Sequence, residues 1–187
     1  MITRREFVKG VAGVAVVGAL IDPPGTEKLV ASCGLYCGAC PMYLATQNKD
    51  DERAKALLKQ FSSGKMNWKM EDLLCDGCIA GGRLATFCRS CQIRESAAKK
   101  TKDKLCSSCP DFACSRITAF NNDGMLHHSE VLANLRQLQK IGLKDWAKSE
   151  DERWKCPQCK GAISWYDASC PKCGAARSGK LFPLKKA

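Results

Sequence analysis

Fourteen cysteines constrain this chain more than any other feature, because their spacing is the one by which proteins hold metal ions. They form the short groups Cys33-Cys37-Cys40, Cys75-Cys78, Cys88-Cys91, Cys106-Cys109 with Cys114, Cys156-Cys159 and Cys170-Cys173. Two thiolates separated by two residues on a tight turn can point at one cation, and two such pairs complete a tetrahedron. The sequence therefore makes all fourteen thiols candidate metal ligands.

The last two pairs are the most regular group. Ten residues separate Cys159 from Cys170, and Gly174 follows the second pair directly. This spacing is typical of two knuckles joined by a hairpin, so we expect a four-cysteine zinc ribbon over residues 154-176. Rubredoxin-type iron uses similar knuckles, so the ligands alone leave iron as the alternative to zinc.

The earlier cysteines are less regular. The pairs Cys75-Cys78 and Cys88-Cys91 are nine residues apart and predict a second four-thiolate site. The six others are Cys33, Cys37, Cys40, Cys106, Cys109 and Cys114, which suit one further site with two spare thiols or several mixed arrangements. Disulfides stay open as an alternative for all ten cysteines before residue 115.

The first 27 residues have the layout of a signal peptide and a spacer. Thr3-Arg4-Arg5-Glu6-Phe7-Val8-Lys9 precedes an apolar run, 11-21, that is too short to cross a membrane as an ordinary anchor. The pattern resembles the twin-arginine export signal, which predicts the twin-arginine export machinery as a partner. We expect an exported, extracytoplasmic protein that contacts a membrane only through this segment, which tethers the protein if it stays uncleaved.

Export normally means an oxidising compartment, where cysteines favour disulfides. The resemblance to a twin-arginine signal removes this conflict, because that route carries proteins that are already folded and loaded with their cofactor. The net charge of +11 gives little support to nucleic-acid binding, because each four-thiolate site around a divalent metal adds about −2. We therefore expect no nucleic-acid partner.

The rest of the chain predicts a small, metal-stabilised, mostly α fold with irregular cysteine-rich loops and the C-terminal β-hairpin zinc ribbon. The predicted divisions are 28-120, a cysteine-rich metal-binding domain; 121-153, a helical connector; 154-176, the ribbon; and 177-187, a basic tail. Val131, Leu135 and Leu138 lie on one face of a helix that Gly142 ends. The two histidines, His127 and His128, are expected at the surface.

Several blocks in order, C-G-L-Y-C-G-A-C-P, C-D-G-C, C-R-S-C-Q-I-R and C-S-S-C-P-D-F-A-C-S-R-I, resemble the cysteine-rich family called domain of unknown function 3795. Members often continue, as here, into W-K-C-P-Q-C and C-P-K-C-G, so the resemblance covers roughly Cys33 to Gly174. The chain differs at Ser96, where the family commonly has a further cysteine. The resemblance implies a fold and metal binding but no reaction.

No catalytic constellation stands out beyond the thiols, and whether the protein is an enzyme stays open. The sequence favours an exported metal-binding protein with structural zinc sites that acts through protein partners. The alternative is an iron-sulfur or rubredoxin-like electron-transfer protein that is exported in folded form.

Overall fold

The computed structural model describes residues 25–62 and 67–184, and the chain in these ranges is mostly helical. The α-helices are α1 (Pro41–Asn48), α2 (Asp51–Ser62), α3 (Thr86–Arg89), α4 (Gln92–Lys100), α5 (Ser115–Asn121), α6 (Val131–Ile141) and α7 (Leu143–Arg153). Short 3-10 helices cover Thr26–Leu29, Cys37–Ala39, Met70–Asp72, Cys106–Ser108 and Leu126–Glu130. The predicted helices and cysteine-rich loops are therefore present.

The main core gathers apolar side chains from almost the whole described length. Val30 and Leu135 are fully buried, as are Trp146 of α7 and Ile163 from the C-terminal cysteine segment. The predicted apolar stripe of α6 faces this core, since Val131, Leu135 and Leu138 are all buried in it. Burial of each such side chain contributes about 1.5–3 kcal/mol to folding.

A second, smaller core lies beside α1 and α2. Met42 and Leu57 pack there with Leu73 and Ala85, which come from the loops between the cysteine pairs. An aromatic stack of Phe61 and Trp68, with ring centroids 4.9 Å apart, borders it. Part of the middle region therefore packs on α1 and α2, while Ile93 and Leu105 belong to the main core.

The predicted C-terminal β-hairpin is wrong, because the described residues contain no β-strand. Residues 154–176 make only two isolated bridges, Lys155 with Ala162 and Ser169 with Ala176. Each bridge closes one cysteine turn on itself, so the two turns do not pair with each other.

The backbone groups that would pair in a hairpin bond to other parts of the chain instead. The N–H of Trp165 donates to the carbonyl of Ala39 at 3.0 Å. The guanidinium of Arg177 donates to the carbonyls of Ser164 and Asp167 at 3.1 and 3.0 Å. These tertiary contacts satisfy the segment between the turns, so no ladder forms.

The predicted signal segment, 1-27, lies outside the described residues apart from its last three. The longest described helix has twelve residues, and none of the described helices combines the length and apolar character that a bilayer crossing needs.

Candidate metal centre

Four cysteines near the C-terminus converge on one point. The sulfurs of Cys156 and Cys173 lie 3.7 Å apart, those of Cys159 and Cys170 lie 3.5 Å apart, and all four are within 4.8 Å of one another. Thiolates around a tetrahedral ion with bonds near 2.3 Å are separated by about 3.5–4 Å. Both of these sulfur pairs therefore have the spacing of ligands in a four-thiolate site, and the group of four can hold a metal ion.

Two similar turns bring these sulfurs together. The N–H of Cys156 donates to the carbonyl of Gly161 at 2.8 Å, and the N–H of Cys170 donates to the carbonyl of Ala175 at 2.8 Å. The residue after the second cysteine of each turn has positive φ: Lys160 at 58° and Gly174 at 73°. This left-handed residue turns the chain back so that both cysteines of a pair face the same side.

The local electrostatics favour a thiolate at Cys156. Its sulfur accepts a hydrogen bond from the N–H of Cys159, and this bond is the main reason that the pKa of Cys156 falls to about 6. Cys156 and Cys170 are buried, whereas Cys173 is exposed. One thiol is thus ready to bind a cation near neutral pH, and the exposed side gives the ion a path of entry.

The helices hold the C-terminal four-cysteine segment in place. The ring of His127 stacks on Trp165 with centroids 4.3 Å apart, and its Nδ1 lies 2.6 Å from the hydroxyl of Tyr166. On another side, Arg53 of α2 forms an ion pair with Asp167 at 3.3 Å. The segment between the two cysteine turns therefore contacts both the 3-10 helix at 126–130 and α2, which makes it part of the folded body.

The prediction that both histidines lie at the surface is wrong for His127, which is 8% exposed. Sequence reasoning missed its role because its partners, Trp165 and Tyr166, are almost 40 residues away. In the sequence, the only indication of a partner for His127 was the adjacent aromatic pair Trp165 and Tyr166. His128 is partly buried and pairs with Asp123 at 2.8 Å.

The other ten cysteines do not form such a closed group in the described residues, where only the C-terminal set brings three or more ligand atoms within 4.8 Å. Cys75 packs in the second core, whereas Cys78 packs against the main core. Among the four cysteines predicted to form the second site, Cys75, Cys78, Cys88 and Cys91, no three ligand sulfurs lie within 4.8 Å of one another.

The last three of these ten cysteines, Cys106, Cys109 and Cys114, line a small cavity of about 30 Å³. Ser96 of α4 lies in the same wall, and Lys100 pairs with Asp111 at its edge. Cys114 is exposed, so this group is open to solvent.

Residues 29–119 match the family model described as "Protein of unknown function (DUF3795)". This match supports the predicted family for the part of the chain that carries the first ten cysteines. It ends before α6, so it gives no support to the predicted extent to Gly174, and the C-terminal four-cysteine group lies outside it. Searches of curated proteins and of solved structures found no match.

Proposed function

We propose that this chain is an exported metal-binding protein whose C-terminal cysteines hold a structural zinc ion and which acts through protein partners. The observation that carries the proposal is the convergence of four sulfurs within 4.8 Å. Four thiolates fill the coordination of a tetrahedral ion and leave no open position for a substrate, which is the pattern of a structural site.

The contacts of the centre support a structural role. Trp154, directly before the first turn, is buried and donates its indole N–H to Glu150 of α7 at 3.0 Å. Ile163, between the two pairs, is fully buried in the main core. An ion that fixes the two turns also fixes these core side chains, so metal binding contributes directly to the free energy of folding.

The test is elemental analysis and an absorption spectrum on full-length protein purified without oxygen. We expect bound zinc and no visible absorption band. Replacement of Cys156 and Cys173 together by Ser should remove about one equivalent of metal. Cys114→Ser is the matched control, because its thiol lies outside the centre, and it should keep that equivalent.

Two results would decide against this proposal. If the double variant and Cys114→Ser bind equal amounts of metal, the C-terminal group is not a metal centre. If the protein carries iron with a visible band that bleaches on reduction, the electron-transfer alternative is correct, since zinc has no redox chemistry.

Support for export comes from the sequence pattern around Arg4 and Arg5. A pair of lysines keeps the charge but changes the recognised feature, so replacement of both arginines by Lys should leave the protein in the cytoplasm. Cell fractionation measures this directly. Delivery of the Lys variant in the same proportion as the wild type would rule out the twin-arginine route.

A further inference from the structure

Three thiols share the small cavity between α4 and α5. Cys106, Cys109 and Cys114 line it, and its volume of about 30 Å³ has room for about two water molecules. In the described chain, no three ligand atoms outside the C-terminal group lie within 4.8 Å of one another, so these sulfurs do not form a closed metal site. Thiols that face one solvent-open space can instead react with each other and with a molecule from solution.

Cys106 is fixed to the core, whereas the other two thiols are not. The N–H of Cys106 donates to the carbonyl of Ser32 at 2.9 Å, and its side chain packs against the main core. Cys109 is partly exposed, Cys114 is exposed, and both lie outside the two cores of the described chain. Cys109 and Cys114 are therefore the pair whose sulfurs can approach each other with the least disturbance of packing.

The chain turns back between these two cysteines. The N–H of Phe112 donates to the carbonyl of Cys109 at 3.1 Å, which closes a turn. Phe112 lines the same cavity, and Cys114 directly precedes α5. Only four residues separate Cys109 from Cys114, so a disulfide between them closes a short loop. The turn brings both ends of this loop to the cavity, and a bridge requires that the two ends lie close together.

The rim of the cavity is basic. Lys100 and Arg116 line it, and Asp111 pairs with Lys100. The adjoining stretch of chain adds three exposed cations and one acidic residue: Lys99, Lys102 and Lys104, with Asp103 among them. The hydrogen bond to Asp111 is the main reason that the pKa of Lys100 is raised, and the charges of Cys109 and Cys114 raise it further. A molecule that carries negative charge is therefore attracted to this side of the cavity.

We infer that Cys109 and Cys114 form a dithiol that exchanges with disulfides carrying negative charge. The thiolate of Cys114 attacks one sulfur of the substrate disulfide and forms a mixed disulfide, while the other substrate sulfur leaves as a thiolate and takes up a proton. Cys109 then loses its proton and attacks the sulfur of Cys114, which forms the Cys109–Cys114 disulfide and releases the second substrate thiol. Two electrons pass from the chain to the substrate, and the same steps in reverse oxidise a substrate dithiol.

The experiment uses full-length protein that is reduced and purified without oxygen and keeps any metal it holds. The probe is glutathione disulfide, a small disulfide with several carboxylates, added at about one equivalent. The remaining thiols are then alkylated and the peptides are analysed by mass spectrometry. The first product should be a Cys109–Cys114 disulfide, with about two glutathione thiols released for each disulfide formed.

Three variants separate the roles of the cavity thiols. In Cys109→Ser the mixed disulfide cannot be resolved, so Cys114 should keep a bound glutathione and only about one glutathione should be released. Cys114→Ser removes the attacking thiol and should slow the release by about tenfold or more. Cys106→Ser is the matched control, because Cys106 lines the same cavity but belongs to the core, and it should still form the Cys109–Cys114 disulfide. Circular dichroism checks that all three variants keep the helical fold.

Replacement of Lys100 and Arg116 together by Gln tests the preference for negative charge. The first step with glutathione disulfide should slow by about tenfold at low salt, because two attracting charges are lost. The rate with cystamine, a disulfide that carries ammonium groups, should stay the same or rise. Equal slowing with both probes would show that the assignment of a negatively charged substrate is wrong.

Four results would overturn the exchange itself. The first is no release of glutathione, and the second is a mixed disulfide on Cys114 that persists in the wild type. The third is a first disulfide between Cys106 and Cys109, or its absence in Cys106→Ser alone. The last is a metal ion that shields Cys109 and Cys114 from alkylation in freshly isolated protein. None of these results depends on the proposed C-terminal centre, whose failure would show separately in the Cys156 and Cys173 double variant.

Discussion

Acidification should destabilise this protein through His127, the residue that attaches the C-terminal four-cysteine segment to the helices. Burial is the main reason that the pKa of His127 is lowered to about 3, and the charge of neighbouring His128 lowers it further, while Asp123 acts in the opposite direction. In the unfolded chain the pKa of this group is about 6.5. The imidazole is therefore neutral in the folded protein above about pH 3.

The sign of the effect follows from where the proton binds. Between about pH 6.5 and pH 3 the unfolded state binds a proton that the folded state does not, so stability falls as the pH falls through this window. A shift of that size predicts a loss of about 2 kcal/mol between pH 7 and pH 5 from this one residue.

Chemical denaturation of the full-length protein at pH 7 and pH 5 measures this loss. His127→Asn is the matched variant, because the Asn side chain has a polar group near the position of Nδ1, which contacts Tyr166 at 2.6 Å, but does not titrate. Protonation of the thiolates and of His128 affects both proteins, so the difference between their losses isolates His127. Equal losses in wild type and variant would refute the reasoning.

Two further predictions concern the segment around the first cysteines. A Cβ on Gly34 would lie 2.8 Å from the side chain of Leu135, whereas one on Gly124 would meet nothing within 4 Å, and both glycines have positive φ. Gly34→Ala should therefore lower the free energy of unfolding by about 1–3 kcal/mol more than Gly124→Ala does, as measured by chemical denaturation. Equal losses in the two variants would contradict the close packing. The hydroxyl of Tyr36 donates to Asp151 at 2.9 Å, so Tyr36→Phe should lower the free energy of unfolding by about 2 kcal/mol, and an unchanged value would show that this bond contributes nothing.

The sequence by itself determined the features that depend on local spacing. The turns around Cys156 and Cys170 need only a few consecutive residues and a left-handed position, so their spacing was enough to predict a four-sulfur group. The apolar stripe of α6 was predictable for the same reason, because the 3.6-residue period of a helix can be recognised within one stretch of sequence.

Only the tertiary structure decided the features that depend on distant partners. Trp165 bonds to Ala39 and stacks on His127, and these contacts replaced the predicted hairpin and buried a histidine that was expected at the surface. The separation of Cys75 from Cys78 has the same cause. Two cores that form from segments far apart in the chain draw the two side chains in different directions, and no pattern within either pair records the position of those cores.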